Sequence, residues 1–372
     1  RRCEHRRGLG AGATGAPPKR CPKKETATML HCGADVHSKS TQLVILDGKG
    51  KELLSEKVPT DRPSLQAAVK PYAKRKLRVI QETGALQAFI QAVFGEMGVE
   101  VVTVHANHMK VITSSKKKSD RRDAFQLAWH SLKDNLPEPV YVPTPMERDL
   151  RTLLASQERV RKTRTAISNG VRGQLKAQGL TLPPNQLSRS SGWERLLEMD
   201  LPEAARLVIV LSYEVWAAQT RALDTLAQEL ARRTKDDDVV RRTQTIPYVG
   251  PACSTAQRAY LGDLRRFRGR KSVASYAGFC PGQRDSGDTR RPGHLTKEGP
   301  PRLRAVFVQA AHMLINRGFR GHEHWKPWYE RLLHRKAHRN VAVVAVARRL
   351  YLLAYHVARS GEVYHPPVPL AS

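Results

Sequence analysis

Short apolar blocks separated by turn residues dominate the chain from Leu30 to about His105. Gly33–His37, Thr41–Asp47 and Glu52–Val58 read as strands. Between the second and third lies Asp47-Gly48-Lys49-Gly50, whose Asp-Gly step tolerates the positive φ of a tight hairpin turn. That makes an antiparallel meander. A helical spacing around Arg62–Tyr72 follows, then a strand Leu77–Glu82, a helix Leu86–Met97, a strand Val99–His105 and a helix through Asp123 to about Leu132. Meander first, then alternating helix and strand, describes an α/β layer.

Beyond Met146 the strand signals stop. To about Lys235 apolar residues recur at helical spacing, as in Leu153, Val160 and Ile167, among Arg, Lys and Gln. This predicts a long helical hairpin broken near Leu182-Pro-Pro-Asn185, its second arm carrying Trp193, Leu196, Leu197, Leu207, Leu211 and Val215. From Val239 the chain is a compact basic region. The pattern divides the chain into an extension 1–29, expected to be disordered with Met29 the natural start, an α/β domain 30–145, a helical or coiled-coil connector 146–238, a mainly α-helical domain 239–358 and a tail 359–372. No apolar run reaches the roughly 18 residues of a bilayer span, Leu207–Leu211 and Val341–Ala347 coming nearest, so no membrane role is expected.

Charge changes the picture more than length does. The chain's 372 residues include 64 Lys and Arg against 34 Asp and Glu, a formal charge of +30 and a pI near 10.4. Such a chain needs a polyanionic partner. Between Leu264 and Asn340 there are eighteen basic and five acidic residues, interleaved with Phe267, Tyr276, Phe279, Trp325, Trp328 and Tyr329. That combination predicts a phosphate-binding surface with aromatic stacking platforms. The five cysteines show no C-x-x-C spacing, which argues against a zinc knuckle or disulfide framework and for a reducing, cytoplasmic setting.

Four carboxylates carry the candidate chemistry. Asp35 sits in Gly33-Ala-Asp-Val-His37 before an apolar strand, Glu82 ends a strand, and Asp120 and Asp123 lie one helical turn apart in Lys118-Ser-Asp-Arg-Arg-Asp-Ala-Phe125. Residues at i and i+3 share a helix face, and carboxylates gathered from strand ends and such a face suit Mg²⁺, a hard ion that takes oxygen ligands. Carboxylates on a surface are more often merely solvated, so metal site and charged surface stand about even on spacing alone. The tract Lys116-Lys117-Lys118 offsets acid repulsion or holds a phosphate. His322, His324, His334 and His338 lack accompanying acid or cysteine ligands and read as part of a basic helix.

Together these segments resemble the DEDD transposases of bacterial insertion sequences, the group described as RNA-guided bridge recombinases. The family order D, E, D-x-x-D falls on Asp35, Glu82, Asp120 and Asp123, and Gly33-Ala-Asp-Val-His-Ser-Lys39, Glu82-Thr-Gly84 and Asp123-Ala124 are similar to its flanks. Thr245-Ile-Pro-Tyr-Val-Gly-Pro251 resembles a helix-hairpin-helix-like turn in which glycine opens backbone amides before a helix. Ser272–Pro281, Gly282–Gly287, Gly293–Gly299 and Leu303-Arg304 resemble the blocks around the family's proposed nucleophilic serine, which falls on Ser286. A serine before glycine in a polar loop is otherwise usually a turn residue. Two departures stand out: Pro300-Pro301 replaces the usual residue after the glycine, and Tyr248 stands where glycine is common.

The resemblance implies an RNase H-like (RuvC-like) domain with catalytic and metal-binding Asp35, Glu82, Asp120 and Asp123, a Mg²⁺ cofactor, and a second domain with Ser286. Lys116, Lys117, Lys118, Arg284, Arg290, Arg291, Lys297, Arg302 and Arg304 would bind nucleic acid. It implies DNA strand cleavage and rejoining through a phosphoserine ester, with DNA, a structured guide RNA and further copies of the chain, as dimer or tetramer, for partners. Two rivals remain: a junction-resolving metal nuclease in which Ser286 is structural, and a nucleic-acid-binding protein without catalysis.

Overall fold

The computed structural model describes residues 29–112, 119–283, 292–335 and 338–366. The chain forms two compact units, one ending at Val142 and the other beginning at Pro143.

The first unit is built on β1 (Leu30–Val36), β2 (Ser40–Leu46), β3 (Glu52–Pro59), α1 (Arg62–Ala73), β4 (Leu77–Glu82), α2 (Gln87–Gly95), β5 (Glu100–Val104), α3 (Ala106–Ile112) and α4 (Asp120–Leu132). Its sheet has the order β3-β2-β1-β4-β5. The meander β1-β2-β3 is antiparallel, whereas β1, β4 and β5 run parallel. The expected turn is real: Asp47 Oδ1 accepts hydrogen bonds from the Lys49 and Lys51 amides at 2.8 and 2.9 Å, and Gly50 takes φ +86°. β4 coincides with the strand read from the sequence. α3, which the apolar spacing does not announce, is additional.

Both faces of this sheet are covered. Leu30, Cys32, Leu43, Ile45, Leu77 and Val79 pack with Leu65 and Val69 of α1 and with Ile90, Val93 and Phe94 of α2. On the opposite face α4 lays Ala124 and Ala128 against Val44 and Leu46, and Leu127 against Ile80 and Val104. Burial on both faces explains the unbroken apolar run Leu43-Val-Ile-Leu46 of β2.

The second unit contains α5 (Pro145–Ala177), α6 (Ser190–Leu197), α7 (Glu203–Thr234), α8 (Asp238–Thr243), α9 (Pro251–Leu261), α10 (Arg270–Tyr276), the short pair β6 (Pro281–Gln283) and β7 (Pro292–Leu295), α11 (Pro301–Asn316), α12 (Lys326–His334) and α13 (Arg339–Ser360). α5 and α7 form the predicted long hairpin, but Trp193 and Leu196 sit on the separate helix α6. At one end of the hairpin Val171 and Leu175 of α5 join Trp193, Ile209 and Trp216 in a core of their own. At the other, Leu150, Leu154 and Leu230 enter the main core with α9, α11 and α13.

α13 is long and apolar enough, by length and composition, to cross a membrane. Ten of its residues, from Ala342 to Ala358, are buried within the unit, so its apolar content is accounted for as the central core helix. The expectation drawn from apolar runs alone overlooked this helix because Arg348 and Arg349 interrupt them.

Candidate metal site and nucleic-acid surface

Alternation along β1 brings the carboxylates together. Residues 31, 33 and 35 share the face that meets α4. His31 Nδ1 lies 2.8 Å from Ser131 Oγ near the end of α4. At Gly33 a Cβ would stand 1.8 Å from the Ala124 carbonyl oxygen, so only glycine permits the approach. Asp35 then faces the start of the same helix. There Ser119 caps α4 by accepting from the Arg122 amide, and Asp120 and Asp123 occupy the first turn, where the helix dipole favours negative charge.

Glu82 arrives by register. β1 and β4 pair Gly33 with Ile80 and Ala34 with Gln81, one step before Asp35 and Glu82. The two acids therefore end adjacent parallel strands at their carboxyl ends, where open α/β sheets place ligands. Asp35, Glu82, Asp120 and Asp123 all line one cavity of about 910 Å³, with His37, Ser38 and Thr83 beside them.

Two further side chains belong to the site and were not read from the sequence as such. His37 Nε2 lies 3.2 Å from Asp35 Oδ2 and 3.7 Å from Asp120 Oδ1, and Lys57 Nζ donates to Asp120 Oδ2 at 2.8 Å. The signal for His37 was its spacing, two residues after Asp35 and one beyond the end of β1. Lys57 has no local signal. It reaches the site because Asp35 pairs with Gln42 across β2, and Gln42 with Lys57 across β3.

Electrostatics separate the acids. Burial holds the Asp35 carboxyl above its ordinary range; the nearby His37 opposes this, and the charges of Asp120 and Asp123 add to the rise. The hydrogen bond and charge of Lys57 hold Asp120 below its ordinary range. Ligand atoms of Asp35, His37 and Asp120 lie within 4.8 Å of one another, close enough to share one divalent ion. The donors are mainly carboxylate oxygens, which suits a hard cation, with one imidazole nitrogen in addition.

In the second unit Ser286, Arg284, Arg290 and Arg291 lie outside the described residues, as do Lys116, Lys117 and Lys118 in the first. Their neighbours are described. Arg302, expected at a phosphate, is largely buried, ion-paired to Glu158 and donating to Gln157 Oε1 at 3.0 Å. Arg304 donates to the carbonyls of Ala277 at 3.0 Å and Glu298 at 2.8 Å. Arg302 thus ties α11 to α5, and Arg304 holds the loops around Ala277 and Glu298. Lys297 stays exposed, at φ +55°.

The two departures also find their places. Pro300 caps α11 and Pro301 opens it, where a missing amide costs nothing. Gly299 before them has φ +76°, and a Cβ there would lie 1.8 Å from the Tyr276 carbonyl oxygen. Tyr248 takes φ +68°, the left-handed region in which glycine is at ease and tyrosine is strained, so the preference for glycine has a backbone cause. Gly250 caps α9 as the motif predicts.

Most of the expected stacking platforms are core residues instead. Phe267, Phe279, Trp325 and Tyr329 are buried, and the Tyr276 hydroxyl donates to the Tyr260 carbonyl at 2.9 Å. A mainly helical unit needs bulky rings to fill the gaps between helices, which composition cannot tell from a binding face. Trp328 is half-buried, with the Arg349 guanidinium 4.2 Å from its ring centre. His322 is buried and stacked on Trp325, so the histidine group is structural there.

Comparison with known proteins finds transposases. Residues 32–178 match the transposase family of DEDD type from IS110 elements, and residues 240–326 match the transposase family IS116/IS110/IS902. The chain is 25% identical over 343 residues to the transposase for insertion sequence element IS1111A of Coxiella burnetii, covering 89% of this chain and 90% of that protein. It is 28% identical over 214 residues to a putative transposase of Sinorhizobium fredii, 57% of this chain and 55% of the relative. Against a probable family 20 transposase of Pseudomonas aeruginosa it is 25% identical over 258 residues, 67% and 75% of the two chains.

Proposed function

Since the chain belongs to the IS110-type family of DEDD transposases, we propose that it is the site-specific DNA recombinase of an insertion sequence, cleaving and rejoining strands with a Mg²⁺-binding acidic quartet and a serine nucleophile. The observation that carries this reading is the convergence of Asp35, Glu82, Asp120 and Asp123 on one cavity. The sheet order, with a meander leading into two parallel strands and α4 laid across β1, supports an RNase H-like fold for the first unit.

Asp35 and Asp120 would hold the divalent ion, with Glu82 and Asp123 completing an oxygen-rich wall. A bound ion supplies polarisation of a phosphoryl oxygen and neutralises charge developing on it. His37, between Asp35 and Asp120, can hold or pass a proton at Nε2, and Lys57 keeps Asp120 ionised. Ser286 would attack phosphorus: its Oγ–P bond forms as the bond to a deoxyribose oxygen breaks, the serine proton goes to a carboxylate or solvent, and the released oxygen takes one up. The ester retains the bond energy, so rejoining needs no ATP. The basic surplus supports binding of DNA and of a structured guide RNA, and the recombinase would work as a homo-oligomer.

The test is a denaturation-resistant adduct between the protein and DNA carrying the flanks of its own gene. The wild-type protein should form it with Mg²⁺, Ser286→Ala should not, and Asp35→Asn should lose both adduct and strand cleavage. Cleavage that survives Ser286→Ala unchanged would overturn the nucleophile and leave a junction-resolving metal nuclease.

A further inference from the structure

A second cavity, of about 770 Å³, opens in the second unit between one face of α13 and the β6-β7 pair. Its size falls within the usual span of small-molecule sites, about 300–1,000 Å³. Phe279, Leu295, Val344 and Leu352 make its floor, and the Trp328 ring stands at one side. Lys297, Arg348 and Arg349 line it too, and no carboxylate does so among the described residues. A site only for an apolar segment would not need three cations at its edge.

Two details point to what fits there. Arg348 lines the cavity, and its buried Nε atom has no hydrogen-bond partner among the described residues, so the protein's own acceptors do not tie the guanidinium down at that position. The Arg349 guanidinium lies 4.2 Å from the Trp328 ring centre, which fixes the ring as a rigid wall with a positive charge against it. Aromatic wall, apolar floor and convergent cations together match a flat heteroaromatic ring joined to a phosphate.

We propose that this cavity receives an unpaired nucleotide of a DNA strand, its base against Trp328 and its phosphate held by Arg348 and Lys297. The inference rests on the reading of the chain as a DNA recombinase and adds that the second unit grips a single-stranded segment. A base inside a duplex cannot enter, because its faces are already stacked and its edge paired.

The test uses the full chain and a single-stranded DNA of roughly a dozen nucleotides containing 2-aminopurine, with the matching duplex and the same sequence in RNA as further probes. Binding of the single strand should quench 2-aminopurine, and Trp328→Leu should remove the quenching and weaken single-strand binding about tenfold, with duplex binding unchanged. Because Trp328 also packs against the core, Val341→Glu is the second variant. Val341 is 61% exposed at the cavity lip, so a charge there leaves the core intact while repelling phosphate. Equal losses on duplex and single strand, or no loss in either variant, would overturn the pocket while leaving the recombinase reading in place. Tight binding of the RNA with none of the DNA would overturn it too, in favour of an RNA site. Failure to bind any nucleic acid would remove both readings together.

Discussion

Asp35 is the residue on which the site turns, and its surroundings predict how it behaves without a metal. Its carboxyl is held above the ordinary range by burial and by neighbouring acids. A folded-state value above the unfolded one means that the native state binds the proton more tightly, so ionising Asp35 costs stability as pH rises through that window. In metal-free buffer Asp35→Asn should therefore raise the melting temperature at neutral pH and flatten its dependence on mild acid. Added Mg²⁺ should stabilise the wild type and leave this variant unmoved. A lower melting temperature for Asp35→Asn in the absence of metal would contradict the assignment. Asp120 works in the opposite sense: Lys57 holds it below the ordinary range, so its contribution is present above the unfolded carboxylate value and is lost as pH falls through the folded one. Gly33 shows how little room the arrangement leaves. Gly33→Ala must push α4 off β1 and should cost about 3 kcal/mol in urea unfolding, with loss of the Mg²⁺ response.

At the scale of elements, the long hairpin is joined to the helices after it by charge as well as by apolar contact. Arg258 on α9 reaches Asp237 Oδ2, at the cap of α8, at 2.7 Å and Glu147 Oε1, in the first turn of α5, at 3.2 Å. Glu147 is almost fully buried and also completes the capping box with Thr144. Removing one member of a buried ion network leaves charge that the interior solvates poorly. Arg258→Met should thus lower the stability of the second unit by about 3 kcal/mol, read as a shift in the midpoint of its denaturant unfolding. The first unit contains none of these groups, and its unfolding should not change.

For the molecule as a whole the governing quantity is charge. With Arg302 and Arg304 committed to internal contacts, part of the basic excess between Leu264 and Asn340 belongs to the fold and not to a ligand. Enough remains at the surface, Lys297 and Arg349 included, for steep salt dependence. If six or more phosphates are contacted, DNA affinity should fall about a thousandfold between 50 and 200 mM salt. Fluorescence anisotropy across that range measures it, and a flat profile would mean that the exposed cations do not face the backbone.

Local pattern alone was enough for the strands of the first unit and the long helical hairpin, whereas on spacing the four acids stood even between a metal site and a charged surface until the fold placed them around one cavity. The strands and the hairpin depend on signals short in sequence: apolar blocks of strand length, an Asp-Gly turn, apolar residues at helical spacing. The resemblance in Asp35, Glu82 and Asp120-x-x-Asp123 likewise rests on residues that keep their spacing whatever lies between them. Lys57 could not be found this way, because its place beside Asp120 depends on the register of three strands. Nor could the fate of the basic and aromatic residues: Arg302 and Phe279 look like surface binders in a list, yet Arg302 is paired to Glu158 and Phe279 is packed beneath α13. Composition counts charges and rings, whereas burial and pairing are long-range properties that exist only once helices distant in sequence have packed together.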